Sequence, residues 1–144
     1  MLANAYIKLV PASTKQEMTL DEVKELFFYY KEITSKTGNQ LSWEYSEVAF
    51  PYDLKASNDG NPDWFYLKSD DSRYNLILLG VGKELIEEDD DSKREQYYIQ
   101  VTLPQASTHG DKGKANEFCK FLGKKLEGEL QLFNGRTMYY YKRK

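Results

Sequence analysis

Residues 64–103 read WFYLKSDDSRYNLILLGVGKELIEEDDDSKREQYYIQVTL. Trp64 to Lys68 is a short aromatic and apolar run, which predicts a strand, and Ser69-Asp-Asp-Ser72 is the turn that follows it. Tyr74 to Val81 is the return strand. Its segment Leu76-Ile-Leu-Leu79 is apolar at consecutive positions, which predicts a central strand covered on both faces. Gln96 to Leu103 alternates cleanly, with Tyr97, Ile99, Val101 and Leu103 one way and Gln96, Tyr98, Gln100 and Thr102 the other. It stops at Pro104. Between them, residues 84–95 carry seven acids and two bases and predict a solvated, partly mobile loop. Consecutive strands with no helix between them favour α+β over a doubly wound sheet.

AYIKLV (5–10) predicts a strand that ends at Pro11. Thr19-Leu-Asp-Glu22 has the form of a capping box, and Met18 and Val23 occupy the positions of a hydrophobic staple. Leu20, Val23, Phe27, Tyr30 and Ile33 recur at spacings of three and four, which predicts an amphipathic helix of about eighteen residues stopped by Gly38. Residues 41–50 read as a short helix starting after Ser42, with Pro51 as its end. Ser57-Asn-Asp-Gly-Asn-Pro62 is a turn cluster. A second helix begins near Lys112, buries Ala115, Phe118, Cys119, Leu122 and Leu126, and stops at Gly128. Asn134-Gly135, between Leu130–Phe133 and Arg136–Tyr141, predicts a type I′ hairpin. The expected order is β-α-(short α)-β-β-β-α-β-β in one domain over residues 1–144: a mainly antiparallel sheet packed by two main helices.

Composition excludes several chemistries. The chain has 144 residues, a net charge of −3, one His and one Cys. One Cys cannot form an internal disulfide, and with one His it cannot complete a tetrahedral zinc site. The longest apolar run, Leu76 to Gly82, is far short of the twenty or so residues a membrane helix needs. MLANAYIKLV lacks the basic n-region and long h-region of a secretory signal. The expectation is a soluble cytoplasmic protein with no metal site, no cofactor and no membrane contact.

The candidate sites are few. Gly80-Val-Gly82-Lys83 has Leu85 where a dinucleotide fingerprint needs its third glycine. Thr108-His-Gly-Asp-Lys-Gly-Lys114 is not a Walker A loop, but it opens a helix, and His109, Gly110, Lys112, Gly113 and Lys114 form the candidate anion site. His109 is the one base of near-neutral pKa; Cys119, on an apolar helix face, reads as a buried thiol. No residue is assigned a catalytic role. The acids Glu87-Glu-Asp-Asp-Asp91 match no calcium loop.

Residues 107–144 carry nine Lys+Arg against four acids. An acidic chain without an RNA-recognition signature argues against nucleic acid all the same. The aromatics, twelve Tyr, seven Phe and two Trp, come in adjacent pairs that point to opposite faces. Either the sheet is covered on both sides, the favoured reading, or one side presents an aromatic surface including Tyr98, Tyr139 and Tyr141. Such a surface suits a protein partner or a second copy of the chain. The leading expectation is therefore a non-catalytic binding module, with a small-anion or phosphometabolite site, enzymatic or not, as the alternative. Convergence of loop 107–114 with the aromatic strand faces on one cleft would raise the enzyme reading.

The segments AYIKLVP (5–11), VKELFFYYKEIT (23–34), AFPY (49–52), YNLILLGVGKE (74–84) and LFNGR (132–136) resemble a domain-of-unknown-function family of short uncharacterised proteins from Bacillus-type Firmicutes. The resemblance implies a bacterial cytoplasmic origin and an α+β domain. It carries over no activity, cofactor or catalytic residue.

Overall fold

The computed structural model describes residues 3–41, 50–56 and 64–142, with the side chains of 35–41 outside the description. Seven strands form one sheet: β1 (Ala3–Lys8), β2 (Asp53–Ala56), β3 (Trp64–Lys68), β4 (Leu76–Glu87), β5 (Lys93–Leu103), β6 (Glu129–Gln131) and β7 (Thr137–Tyr139). Helix α1 (Leu20–Leu41) follows β1, and α2 (His109–Leu126) links β5 to β6. The spatial order is β2-β3-β4-β5-β1-β6-β7, and every pairing is antiparallel. β1 is inserted between β5 and β6, so the amino-terminal strand lies inside the sheet. The architecture is α+β, as the strand pattern predicts.

Both helices pack on the same face. Ala5, Ile7, Phe65, Leu67, Ile77, Leu79, Ile99, Val101 and Leu130 point to that side and are fully buried, together with Val23 and Phe27 of α1 and Ala115, Phe118, Cys119 and Leu122 of α2. Phe27 and Phe118 meet edge to face, ring centroids 5.3 Å apart, and Phe50, Tyr52 and Tyr30 close around Phe118. α1 starts with the expected capping box: the Thr19 N–H donates to Glu22 Oε1 (3.1 Å) and the Glu22 N–H to Thr19 Oγ1 (3.2 Å). Met18 and Val23 are both buried beside it.

Several expectations need correction. Among the described residues the sheet is covered on one side only: no described helix lies on the second face, and Leu76 and Leu78 are only half-buried there. Gly38 does not stop α1, which runs on to Leu41; one interior glycine costs about 1 kcal/mol, too little to end a helix with about five turns behind it. The order gains a strand, β2, because DLKA pairs with β3 although only Leu54 and the small Ala56 supply apolar side chains. The proposed short helix after Ser42 and the 57–62 turn fall essentially outside the described residues.

Residues 84–95 are not a mobile loop. β4 and β5 pair continuously from Leu78↔Thr102 to Glu87↔Lys93, and the charges meet across the ladder and its end. Lys83 reaches Glu95 at 3.5 Å, and Arg94 pairs with Glu88. The turn is Glu88–Ser92. The Asp91 N–H donates to the Glu88 carbonyl, the Glu88 N–H to the Ser92 carbonyl, and Asp91 is left-handed at φ 65°.

The carboxy-terminal hairpin has the same backbone. The Gly135 N–H donates to the Leu132 carbonyl, the Leu132 N–H to the Arg136 carbonyl, and Gly135 has φ 84°. This is a three-residue loop ending in a left-handed residue, not the expected type I′ turn, which needs positive φ at both central positions. Asn134 keeps a negative φ and its Oδ1 accepts from the Arg136 N–H at 2.9 Å. α2 likewise ends with Glu127, not Gly128, in the left-handed conformation (φ 50°). Gly128 is needed for another reason: a Cβ there would sit 2.9 Å from the Lys8 carbonyl oxygen.

Candidate functional site

Helix α2 begins with a second capping box. The Asp111 N–H donates to Thr108 Oγ1 (3.1 Å) and the Thr108 N–H to Asp111 Oδ2 (2.9 Å). The spacing is that of Thr19 and Glu22, Thr-x-x-acid, and this signal was available in the sequence. What it leaves out is everything else Asp111 holds. Its carboxylate is fully buried. It accepts from the Tyr52 hydroxyl (2.6 Å), from the Asn75 N–H (2.9 and 3.0 Å to its two oxygens) and from the Leu76 N–H (3.0 Å). Burial alone would raise the Asp111 pKa, but the Tyr52 hydroxyl and the three backbone amides outweigh it and hold it below the ordinary value. The Tyr52 hydroxyl is pushed up, by burial first and then by the carboxylate it bonds. The anion at the start of α2 is thus the chain's own Asp111. It fastens the helix to the β3–β4 turn and to the segment before β2.

Around this knot the five candidate anion residues separate. His109 and Lys112 face a cleft, described below. Gly110 packs against the Arg73 carbonyl and the Tyr74 ring with no room for a side chain, whereas Gly113 faces open space. Lys114 reaches Glu117 at 3.3 Å. The structure brings two of the five to one concavity and turns the other three elsewhere.

The cleft has a volume of about 620 Å³. Along α2 it is lined by His109, Lys112, Asn116 and Lys120, residues three and four apart and therefore on one side of the helix. Opposite stand Leu103, Pro104 and Gln105, where β5 leaves the sheet, and Leu132, Phe133 and Asn134 of the β6–β7 turn. Asn116, Lys120 and the apolar wall escaped sequence reasoning, since only the β6–β7 hairpin folding back against α2 creates them.

The aromatic candidates lie on the other side of the sheet. Pairing puts Tyr98 opposite Lys8 and Gly82, Lys8 opposite Glu129, and Glu129 opposite Tyr139, so all these side chains project from the uncovered face. Tyr139 is 45% exposed and meets Tyr141 edge to face at 5.9 Å; the Tyr141 hydroxyl lies 3.5 Å from Glu129 Oε1. Tyr98 crosses Tyr6 at 5.6 Å, and its ring lies over Gly82, where a Cβ would come within 2.5 Å of the hydroxyl. Trp64 and Tyr66 on β3 extend the aromatic set. A trough of about 320 Å³ runs between Trp64 and Tyr98 over Gly80 and Gly82, with Leu78, Gln100 and Thr102 beside it. Gln100 and Thr102 both donate to Asn4 Oδ1. The α2 entry and the aromatic face therefore do not converge on one cleft.

The remaining motifs are absorbed by structure. Cys119 is buried, which pushes its thiol up to about 12, the reverse of an activated nucleophile. Among the described residues no group of three or more His, Cys, Asp and Glu side chains is placed to hold a metal ion. No described helix is long and apolar enough to cross a membrane. The basic and aromatic residues of the carboxy-terminal third do not share one surface. Lys112 and Lys120 line the helix-side cleft, and Lys125 lies 4.7 Å over the Tyr29 ring, while Tyr139 and Tyr141 sit across the sheet.

The family model described as "Domain of unknown function (DUF1885)" matches residues 3–142. A crystal structure of a protein of unknown function from Bacillus stearothermophilus is 38% identical, with a TM-score of 0.54 over 90% of this chain and 93% of that one. No curated protein matches the sequence.

Proposed function

The chain belongs to the DUF1885 family of domains of unknown function, and from that premise we propose that it is a non-catalytic binding module whose working surface is the uncovered face of its sheet. The observation that carries this reading is the one-sided placement of the helices, which leaves Tyr6, Trp64, Tyr66, Tyr98 and Tyr139 at least partly exposed on the opposite face. Six inter-strand spacings make that face about 29 Å wide, enough for the roughly 800 Å² that each partner gives to a stable protein interface. Its chemistry suits a protein. Tyr and Trp bring large contact area with little rotamer entropy to lose. Around the rings stand charges of both signs: Lys8, Lys68 and Arg94, with Asp53, Glu84 and Glu129.

The test is a photo-crosslinking amino acid at position 66 or 98 in cells, against the same probe at the exposed Phe28 on α1. Defined protein adducts, or a cross-linked second copy, should form from the sheet positions and not from position 28. Equal labelling from all three positions, or none from 66 and 98, would sink the reading.

A further inference from the structure

We propose that the cleft along the first three turns of α2 binds a small organic anion that has an apolar body. The cleft lies on the helix side of the sheet, so this inference is independent of the role given to the uncovered face. Its volume, about 620 Å³, falls in the range of pockets that enclose small molecules, about 300–1,000 Å³.

Charge is the first argument. The chain is acidic, at −3, and some of its basic groups sit beside carboxylates, as Lys8 does by Glu84, Lys15 by Glu22, Lys83 by Glu95, Arg73 by Asp71 and Lys114 by Glu117, while others do not. Lys112 and Lys120 belong to the second group, and they are set apart by sharing one concavity. Both face the cleft, no carboxylate is among its described lining residues, and neither takes part in an ion pair among the described residues. Two cations over a concave wall without a counter-charge concentrate positive potential there. Lysine ammonium groups are strong donors to phosphate or carboxylate oxygens.

Shape is the second. Eight residues of helix put Lys112 and Lys120 about 12 Å apart along the axis, with Asn116 midway to donate or accept. The far wall is apolar, made by Leu103, Pro104, Leu132 and Phe133. An anion made only of charge and hydration leaves that wall unused; an aromatic or aliphatic body covers it. The helix amino terminus is not open to the anion, because Thr108 and Asp111 already occupy it.

His109 is the only histidine and lines the cleft, so its ring proton signals report binding there without assignment of the whole spectrum. Titration with phenyl phosphate should give a saturable shift of those signals. Inorganic phosphate should bind at least about tenfold more weakly, and phenol should give no shift. The double variant K112Q/K120Q, with both changes at exposed positions, should keep the wild-type melting temperature and lose about tenfold or more in affinity. Phe133→Ala should weaken phenyl phosphate and leave inorganic phosphate unchanged. Unmoved His109 signals, equal affinity in K112Q/K120Q, or inorganic phosphate bound as tightly as phenyl phosphate would each overturn the proposal.

Discussion

The two faces of the sheet are made by the same strands, one residue apart, and have opposite characters. Ile7, Ile99, Val101, Ile77 and Phe65 are completely buried; their neighbours Tyr6, Tyr98, Gln100, Leu78 and Trp64 are all partly exposed. Alternation assigns each residue to a side but does not decide which side is covered. That depends on where the helices land, and both land on one face. Leu76 and Leu78 show the consequence. They are as apolar as Ile77 and Leu79, yet they end on the wet side, where Leu78 borders the aromatic trough.

The contrast can be broken most severely from the covered face. Phe118→Ala removes a ring packed against Phe27, Tyr30, Phe50 and Tyr52 and should cost about 4 kcal/mol, read as a lower midpoint in denaturant with an unchanged slope.

Next in size is the knot that docks α2 onto that face. Asp111→Asn turns an amide nitrogen toward the N–H groups of Asn75, Leu76 and Thr108 and should cost about 3 kcal/mol at neutral pH. The pH dependence follows from the lowered pKa of Asp111. The folded state binds fewer protons at this group than the unfolded chain does. Its contribution is therefore present above the ordinary carboxylate pKa, about 3.9, and is lost as pH falls through the lower folded value. The gap between wild type and Asp111→Asn should shrink below about pH 4, and melts across that range would reveal a constant gap if the carboxylate's charge were irrelevant.

The smallest stability effect belongs to the uncovered face. Tyr98→Ala gives up one edge-to-face contact with Tyr6 and should cost about 1 kcal/mol, while removing the sheet-face adducts that the crosslinking experiment detects. A loss as large as that of Phe118→Ala would mean that the second face is a core after all.

Much of this was legible because it is local. The alternation of Gln96 to Leu103 sorted its residues correctly, and the buried face of α2, Ala115, Phe118, Cys119, Leu122 and Leu126, is the one that periodicity picks out. The Thr19–Glu22 box formed as written.

The two hairpin turns show where local reading runs out. Both close through a left-handed residue, with Asp90 Oδ1 or Asn134 Oδ1 accepting the amide two residues on. Asn-Gly announces the second; in the first, Asp91 takes the left-handed position without a glycine and is hidden in a run of charge. Asp tolerates that conformation better than most residues, so an acidic stretch that reads as solvated loop is the tip of the longest hairpin.

By itself, then, the sequence determined the α+β class, the Thr19–Glu22 cap, the residue sets on each side of strand and helix, and that one cysteine cannot form an internal disulfide. These rest on spacings of two to four residues, which the backbone geometry of strand and helix imposes. Only the tertiary structure decided which face of the sheet lies open, that Asp111 ties α2 to Tyr52, Asn75 and Leu76, and that Lys112 and Lys120 look across at Phe133. Those outcomes depend on groups far apart in the chain, as Tyr52 and Asp111 are. No spacing rule reaches across such a distance; burial and hydrogen bonding settle it when the elements pack.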